Sequence, residues 1–205
     1  MTFRLATAAA LAALLATSSA FAAPVDLVTN GSFEDNLQAA GTWNIYANLT
    51  GWTGGANGIE LRNDVAGTAY DGVNFVELDT NHNSLMYQDL ATTAGQTYQV
   101  SFAYSPRTGV SADSNPISVY WEGNLVNTYT GTTSANTDWT VYTLDLKATT
   151  NGSQLQFKAV GTDDSYGGSL DKISVTAAVP EPETYAMLLA GLGLVGFAAR
   201  RKKRA

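Results

Sequence analysis

The middle of the chain alternates apolar and polar residues with the period of two that is typical of β-strands. The clearest run, TYQVSFAYS at 97–105, places Tyr98, Val100, Phe102 and Tyr104 on one face. Similar runs, rich in β-branched and aromatic residues, occur as NFVEL, ISVYWEG, WTVYTLDL, LQFKAV and LDKISV. No helical period separates them, so the pattern predicts one all-β domain, an antiparallel β-sandwich.

Short polar stretches between these runs predict turns. EGNL at 122–125 and TTNGS at 149–153 both have turn composition. The second contains the pair Asn151-Gly152, which is favoured in tight β-hairpins.

The first 22 residues have the layout of a secretory signal peptide. Arg4 precedes an Ala/Leu-rich apolar run, and the small-residue pattern Ala20-Phe21-Ala22 predicts cleavage after Ala22. The run is too short for a transmembrane helix, which needs about 20 apolar residues. We therefore expect export of the protein and a mature domain at 23–178.

The end of the chain has three ordered parts: Val179-Pro180-Glu181-Pro182, an apolar segment at 185–199 and a basic run at 200–204. As a helix, the apolar segment would span roughly 22 Å at ~1.5 Å per residue, less than the ~30 Å hydrocarbon core of a bilayer. By the positive-inside rule, the basic run would keep the C-terminal tail that follows this weak anchor on the cytoplasmic side of the membrane.

This order resembles the PEP-CTERM sorting signal of bacteria that have an outer membrane. The resemblance implies that an exosortase recognises Pro180, Glu181 and Pro182 and processes the protein. Residues 179–205 would then serve as a sorting address and a transient inner-membrane anchor, and the protein would remain at the cell surface or in the extracellular matrix. A plain C-terminal membrane anchor is the alternative.

The charge of the predicted domain excludes some partners. Residues 23–178 contain sixteen Asp and Glu and five Lys and Arg, a net charge of −11. Such a surface repels nucleic acid and anionic lipid, and it suits neutral sugars or divalent cations better. The chain has no cysteine, so disulfides and thiol chemistry are excluded.

Five motifs stand in the order found in galactose-binding-like jelly rolls: LVTNGSFED at 27–35, TGW at 50–52, GIELRNDVAGTAYDGVNFVELD at 58–79, YQDLATTAGQTYQVSFAYSPR at 87–107 and GGSLDKISV at 167–175. The domain resembles the carbohydrate-binding-module group, and within it the domain-of-unknown-function 642 family with its bacterial relatives in surface proteins and adhesins. The resemblance implies a jelly-roll β-sandwich that binds carbohydrate.

The same resemblance implies a structural calcium ion near one end of the sandwich. In this sequence the positions that match are Glu34 and Asp171, with Asn30 as a further candidate ligand, and backbone carbonyls would complete the site. Ca²⁺ takes six to eight oxygen ligands from flexible loops. The alternative is that both carboxylates are ordinary loop residues and Asp171 caps a turn.

Aromatic rings are the expected sugar-binding elements, because their faces stack on the C–H faces of pyranose rings. Most of the aromatic residues are expected in the core. From the remainder we select Trp52, Tyr104 and Trp121 as candidate ligand contacts. Arg107, in the predicted loop YSPRTG, is either a ligand contact or the salt-bridge partner of a nearby acid.

Catalysis is not favoured by the sequence. Glu77 and Asp79 lie two residues apart on one predicted strand and thus on one face, which would suit a pair of glycosidase carboxylates. The stretch Glu77-Leu78-Asp79-Thr80-Asn81-His82 lacks the third acid of the known jelly-roll glucanase pattern. The single histidine, His82, has neither the partners of a metal cluster nor a nucleophile elbow.

These observations predict an exported, non-catalytic protein that binds polysaccharide, with exopolysaccharide as the natural candidate. The alternative is a structural protein of the biofilm matrix, or an adhesin, that contacts proteins and has no sugar site.

Overall fold

The computed structural model describes residues 24–178 and, further on, Gly191 and Leu192, which are helical. The predicted signal peptide at 1–22 and the remainder of the predicted sorting segment at 179–205 lie outside the described residues. Among the residues described, no helix is long and apolar enough to cross a membrane.

Residues 24–178 contain strands and loops and no helix. The strands are, in chain order, β1 Thr42–Tyr46, β2 Asn48–Leu49, β3 Trp52–Gly54, β4 Ile59–Asn63, β5 Asn74–Glu77, β6 Leu85–Leu90, β7 Thr97–Ser105, β8 Ile117–Trp121, β9 Asn124–Tyr129, β10 Thr140–Lys147, β11 Ser153–Ala159 and β12 Ser169–Ala177.

The strands form two six-stranded sheets that pack face to face. The front sheet has the order β1-β4-β5-β12-β7-β10, and the back sheet has the order β2-β3-β6-β11-β8-β9. Every pairing between neighbouring strands is antiparallel. Most neighbours come from distant parts of the chain, as β12 lies between β5 and β7. The structure confirms the predicted antiparallel jelly-roll β-sandwich.

The core between the sheets is built from the predicted alternation. Tyr98, Val100, Phe102 and Tyr104 of β7 all point into it, and none is more than 3% exposed. Phe157 of β11 is wholly buried, and its ring lies 5.2 Å from that of Phe102 across the sandwich. The alternation in β7 therefore fixes one face of the core.

The two predicted turns have different roles in the structure. Glu122 and Gly123 both have positive φ, 50° and 77°, as the type I′ hairpin turn between β8 and β9 requires. The Asn151-Gly152 turn is not a hairpin, because β10 pairs with β7 in the front sheet and β11 pairs with β6 and β8 in the back sheet. It carries the chain from one sheet to the other, so the composition predicted the turn but not its connection.

The first described residues are bound to the last strand by hydrogen bonds. Leu27 N donates to Val175 O at 2.8 Å, Ile173 N donates to Gly31 O at 2.9 Å, and Val175 N donates to the Asp26 carboxylate at 2.9 Å. All the described strands and the core they enclose lie within residues 24–178, so we expect this segment to fold on its own.

The outer face of the front sheet is polar and covered by loops. In β4, Leu61 points into the core whereas Arg62 points outward, and in β5 Val76 points inward whereas Glu77 points outward. The loops 64–73, 106–116, 130–139 and 160–168 meet on this face, as shown by the hydrogen bonds between loops 64–73 and 130–139 and between loops 106–116 and 160–168. This arrangement creates the candidate site.

Candidate functional site

Three of the four predicted ligand contacts are core residues. Trp52, Tyr104 and Trp121 are 1%, 2% and 5% exposed, and the polar atom of each ring donates to a backbone carbonyl. A ring packed in the core has no face free for a sugar. The structure therefore corrects the prediction that these three residues contact a ligand.

Arg107 lies at the surface of a groove and forms a salt bridge with an acid, which was one of the two roles predicted for it. Its Nη1 lies 3.0 Å from Oε1 of Glu77 and donates to the carbonyl oxygen of Ser165 at 3.4 Å. The side chain is 18% exposed. Its Nε and Nη2 have no hydrogen-bond partner among the described residues. Arg107 therefore keeps donors available for a ligand.

The groove consists of two adjoining compartments on the outer face of the front sheet. The large compartment has a volume of about 500 Å³ and is lined mainly by loops 106–116 and 160–168, with Ala66 and Asn136. The small compartment has a volume of about 230 Å³ and is lined by strands β1 and β4 and by Thr80 and Asn81. Arg107 and Tyr166 line both compartments.

Two exposed aromatic side chains belong to this groove. Trp43 in β1 is 52% exposed and lines the small compartment, and Tyr166 is 48% exposed and lies between the compartments. The guanidinium carbon of Arg107 lies 4.5 Å from the centroid of the Tyr166 ring, within cation–π distance. Neither aromatic residue is among the ligand contacts predicted from the sequence. A signal for Tyr166 was its position in the Gly/Ser-rich stretch DDSYGGS at 163–169, outside the alternating apolar runs that predict the core.

A buried charge network forms the floor beneath the groove. Glu77 is wholly buried between Arg62, whose Nη1 lies 2.7 Å from Oε2, and Arg107. Arg62 in turn donates its Nε to Glu60 at 2.6 Å. The contact between Arg62 Nη1 and Glu77 is an ion pair without hydrogen-bond alignment. Both arginines of residues 24–178 are thus committed to one site.

The protonation of Glu77 is set by burial. Removal from water raises its pKa to about 8, and this outweighs the lowering by Arg62 and Arg107. Such an outcome is physically expected, because the desolvation of a buried ion pair can exceed its Coulombic gain. Gly167 N also donates to Glu77 Oε1 at 3.0 Å, so the same carboxyl group fixes the loop that carries Tyr166.

Asp79 holds that loop from below. Its Oδ2 accepts hydrogen bonds from the backbone N–H groups of Asp164 and Tyr166, both at 3.2 Å. The residue between them, Ser165, has a positive φ of 64°, and Ala66, which lines the large compartment, has a φ of 55°. Positive φ is unfavourable for residues other than glycine and is found preferentially at functional sites.

Glu77 and Asp79 do not form an accessible pair of carboxylates. Both side chains are wholly buried, and neither lines the groove. A glycosidase needs two carboxyl groups that reach the scissile bond from either side. These two residues act instead on the structure of the groove.

The two predicted calcium ligands bind neighbouring segments at the C-terminal end of the loop 64–73. Oε1 of Glu34 accepts the N–H groups of Val73 and Asn74, both at 2.8 Å, and Oδ2 of Asp171 accepts those of Tyr70 and Asp71 at 2.7 and 2.9 Å. Burial raises the pKa of Asp171 to about 7.

The groups around Glu34 include further oxygen donors that suit calcium. Oδ1 of Asn74 is buried without a hydrogen-bond partner, and its amide nitrogen donates to the carbonyl oxygens of Phe33 and Asn36. These carboxylate, amide and carbonyl oxygens are the ligand types that Ca²⁺ prefers. Across the described part of the chain, however, no three His, Cys, Asp or Glu side chains converge on a metal position. Oδ1 of Asn30 is occupied by the N–H group of Asp35.

Comparison with known families covers nearly the whole chain. Residues 26–176 match the family model described as Protein of unknown function (DUF642), and residues 178–203 match the PEP-CTERM protein-sorting motif. Both resemblances read from the sequence are thereby confirmed.

One curated relative and two solved structures are similar to this chain in sequence or in fold. The multifunctional-autoprocessing repeats-in-toxin protein of Vibrio cholerae is 33% identical over 153 residues, which are 74% of this chain and 3% of the relative. A Stig cyclase from Fischerella sp. TAU has a TM-score of 0.56 at 13% identity, over 78% of this chain and 100% of that one. TmCBM61, in complex with β-1,4-galactotriose, has a TM-score of 0.51 at 16% identity, over 75% of this chain and 99% of that one. The chain spans a very small part of its curated relative, and the structural matches establish the fold alone.

Proposed function

This chain is a member of the DUF642 family, and we propose that it is an exported protein that binds polysaccharide in the groove without cleaving it. The observation that carries the proposal is the groove itself, in which two exposed aromatic rings stand among polar side chains. Trp43 and Tyr166 offer apolar ring faces for the C–H faces of sugars. Ser111, Asn136 and Arg107 offer hydrogen-bonding groups for sugar hydroxyls.

The sorting motif implies export and a surface or extracellular location. We extend this to processing by an exosortase at Pro180-Glu181-Pro182, with transient anchoring in the inner membrane. The exopolysaccharide of the producing bacterium is then the first candidate ligand, because the protein would be retained beside it. TmCBM61, which shares the fold, holds β-1,4-galactotriose, so galactan is the first reference polysaccharide.

Binding without cleavage is supported by the placement of the acidic residues. The pair that the sequence offered for catalysis, Glu77 and Asp79, is buried beneath the groove and engaged with arginines and backbone N–H groups. Glu60, which lines the small compartment, is bonded to Arg62. These carboxylates shape the site and fix its loops.

Calcium at Glu34 and Asp171 remains part of the proposal. The ion would take oxygens from Glu34, Asp171 and Asn74 and from backbone carbonyls, and it would stabilise the loop 64–73 that forms one wall of the groove. It is not needed to join the first residues to β12, because backbone hydrogen bonds already do so.

A second function, assembly into the biofilm matrix without a sugar site, is favoured by one observation. Strand β10, Thr140–Lys147, is eight residues long and forms an edge of the front sheet, with Val141 49% exposed. An edge strand of this length can pair with a strand of another molecule. Analytical ultracentrifugation of residues 23–178 tests this, since edge pairing predicts concentration-dependent association that Val141→Lys abolishes.

The test of the main proposal is a co-sedimentation panel. Purified residues 23–178, with calcium present, are mixed with insoluble galactan, cellulose, mannan and the exopolysaccharide of the producing bacterium. We expect selective retention by one glycan, and loss of retention in Tyr166→Ala. The matched control is Tyr120→Ala, which removes a partly exposed tyrosine of β8 from the opposite sheet. Retention by none of the glycans would refute sugar binding.

A further inference from the structure

The groove is divided by a ridge that Tyr166 and Arg107 form together. Among the residues that the structure describes, these two alone line both compartments. With Arg107 4.5 Å from the ring centroid of Tyr166, they form one stacked unit between a space of about 500 Å³ and a space of about 230 Å³. A ligand that fills both spaces must therefore pass over this ridge.

The ridge is held in place from below by several bonds. Glu77 bonds Arg107 through Oε1 and Oε2, at 3.0 and 3.3 Å, and Asp79 bonds the backbone N–H of Tyr166 at 3.2 Å. Because both acids are wholly buried, these contacts are shielded from water. The division of the groove is therefore a built feature of the fold.

The size of the compartments limits what each can hold. Pockets for drug-sized ligands are typically ~300–1,000 Å³. The small compartment, at about 230 Å³, is below this range and suits a single ring-sized group, which can lie against the exposed face of Trp43. The large compartment, at about 500 Å³, has room for one sugar ring with substituents or for two rings.

We propose that the groove takes a chain of at least two linked sugars, with one sugar on Trp43 in the small compartment and the next in the large compartment, and with the linkage crossing the Tyr166–Arg107 ridge. The inference rests on the proposed function. Nε and Nη2 of Arg107 have no hydrogen-bond partner within the described residues. Where the linkage crosses the ridge, their N–H groups donate to the oxygens around it. A single sugar can satisfy only one of these compartments.

Affinity should therefore depend on chain length up to the disaccharide or trisaccharide. The experiment titrates residues 23–178 with galactose and its β-1,4-linked dimer, trimer and tetramer. A second series of one to four sugars comes from the partial hydrolysis of the polysaccharide that the panel retains. For the series that binds, we expect at least a tenfold gain in affinity from one sugar to the chain that fills both compartments, measured by isothermal titration calorimetry.

Two variants distinguish the compartments. Trp43 lies on the edge strand β1, outside the core, so Trp43→Ala should fold normally and should remove the gain in affinity from one sugar to longer chains. Tyr166→Ala, which lines both compartments, should weaken binding at every length, and Tyr120→Ala should change nothing. Thermal melts of the variants establish that each is folded.

The outcomes separate this inference from the proposed function. Retention of a polysaccharide together with equal affinity for one sugar and for four would overturn the two-compartment inference alone. The two-compartment inference is also overturned if the affinity of Trp43→Ala still rises with the number of linked sugars. If the panel retains no polysaccharide, the proposed function fails and the inference fails with it.

Discussion

The buried carboxyl group of Glu77 predicts an unusual dependence of stability on pH. Its pKa in the folded protein is about 8, raised from 4.5 by burial. Since the folded state binds this proton more tightly than the unfolded state, the contribution of Glu77 to stability is complete below pH 4.5. It is lost progressively as the pH rises from about 4.5 to about 8. The charged groups that face the carboxyl are Arg62 and Glu60 from β4 and Arg107 from the loop after β7.

The size of the effect follows from the shift. One pKa unit corresponds to ~1.36 kcal/mol, so the full shift amounts to roughly 5 kcal/mol, most of which falls between pH 5 and pH 8. The assay is urea denaturation of residues 23–178 at unit pH steps from 5 to 9, on the wild type and on Glu77→Gln, which cannot ionise. Other titrating groups are common to both proteins and cancel in the difference.

We expect the wild type to lose several kcal/mol relative to Glu77→Gln as the pH rises from 5 to 8. Asp145→Asn, an exposed acid on β10, is the matched control and should track the wild type. A difference that is independent of pH, or one in which the wild type is instead weakened towards acid pH, would refute the reasoning. It would mean that the two arginines outweigh the desolvation of Glu77.

Three further predictions concern the ion, the tail and the core. Chelation by EDTA should lower the melting temperature of residues 23–178, and Glu34→Gln should melt at the lower temperature with or without EDTA; an unchanged wild-type melt would remove the calcium site. Replacing Pro180-Glu181-Pro182 by alanines should leave an unprocessed, membrane-retained precursor, visible on an immunoblot of cell fractions, whereas normal processing would contradict the exosortase assignment. Phe157→Ala should cost about 3–5 kcal/mol of unfolding free energy, since it empties a wholly buried ring site in contact with Phe102; a loss below 1 kcal/mol would contradict this view of the core.

The fold could be predicted further from the sequence than the site. The alternation in β7 specified the core face, and applied consistently it also assigned Tyr104 to the core, against its selection as a ligand contact. The same reasoning applies to Trp121, which continues the inward series of Ile117 and Val119 in β8. Strand periodicity therefore outweighs aromatic character when a ring lies within a strand.

The groove depends on contacts that no local pattern shows. Glu77 meets Arg62 from the neighbouring strand and Arg107 from a loop 30 residues further along the chain. The residues next to Arg107 in the sequence do not indicate that Glu77 is its salt-bridge partner. The outward orientation of Trp43 could not be predicted either, because in β1 it follows from the pairing with Arg62 in β4, which the sequence does not specify.

The most direct test of the central claim uses the tryptophan fluorescence of residues 23–178. Of the four tryptophans, Trp43 lines the groove and is 52% exposed, whereas Trp52 and Trp121 are buried. The fourth, Trp139, is half-buried against Phe75 and lines neither compartment. On titration with the polysaccharide that the panel retains, we predict a saturable shift of the emission to shorter wavelength. The shift should be absent in Trp43→Phe, which still binds. Polysaccharide that sediments with the protein while the emission stays unchanged, or an equal shift in Trp43→Phe, would place binding elsewhere and contradict the account.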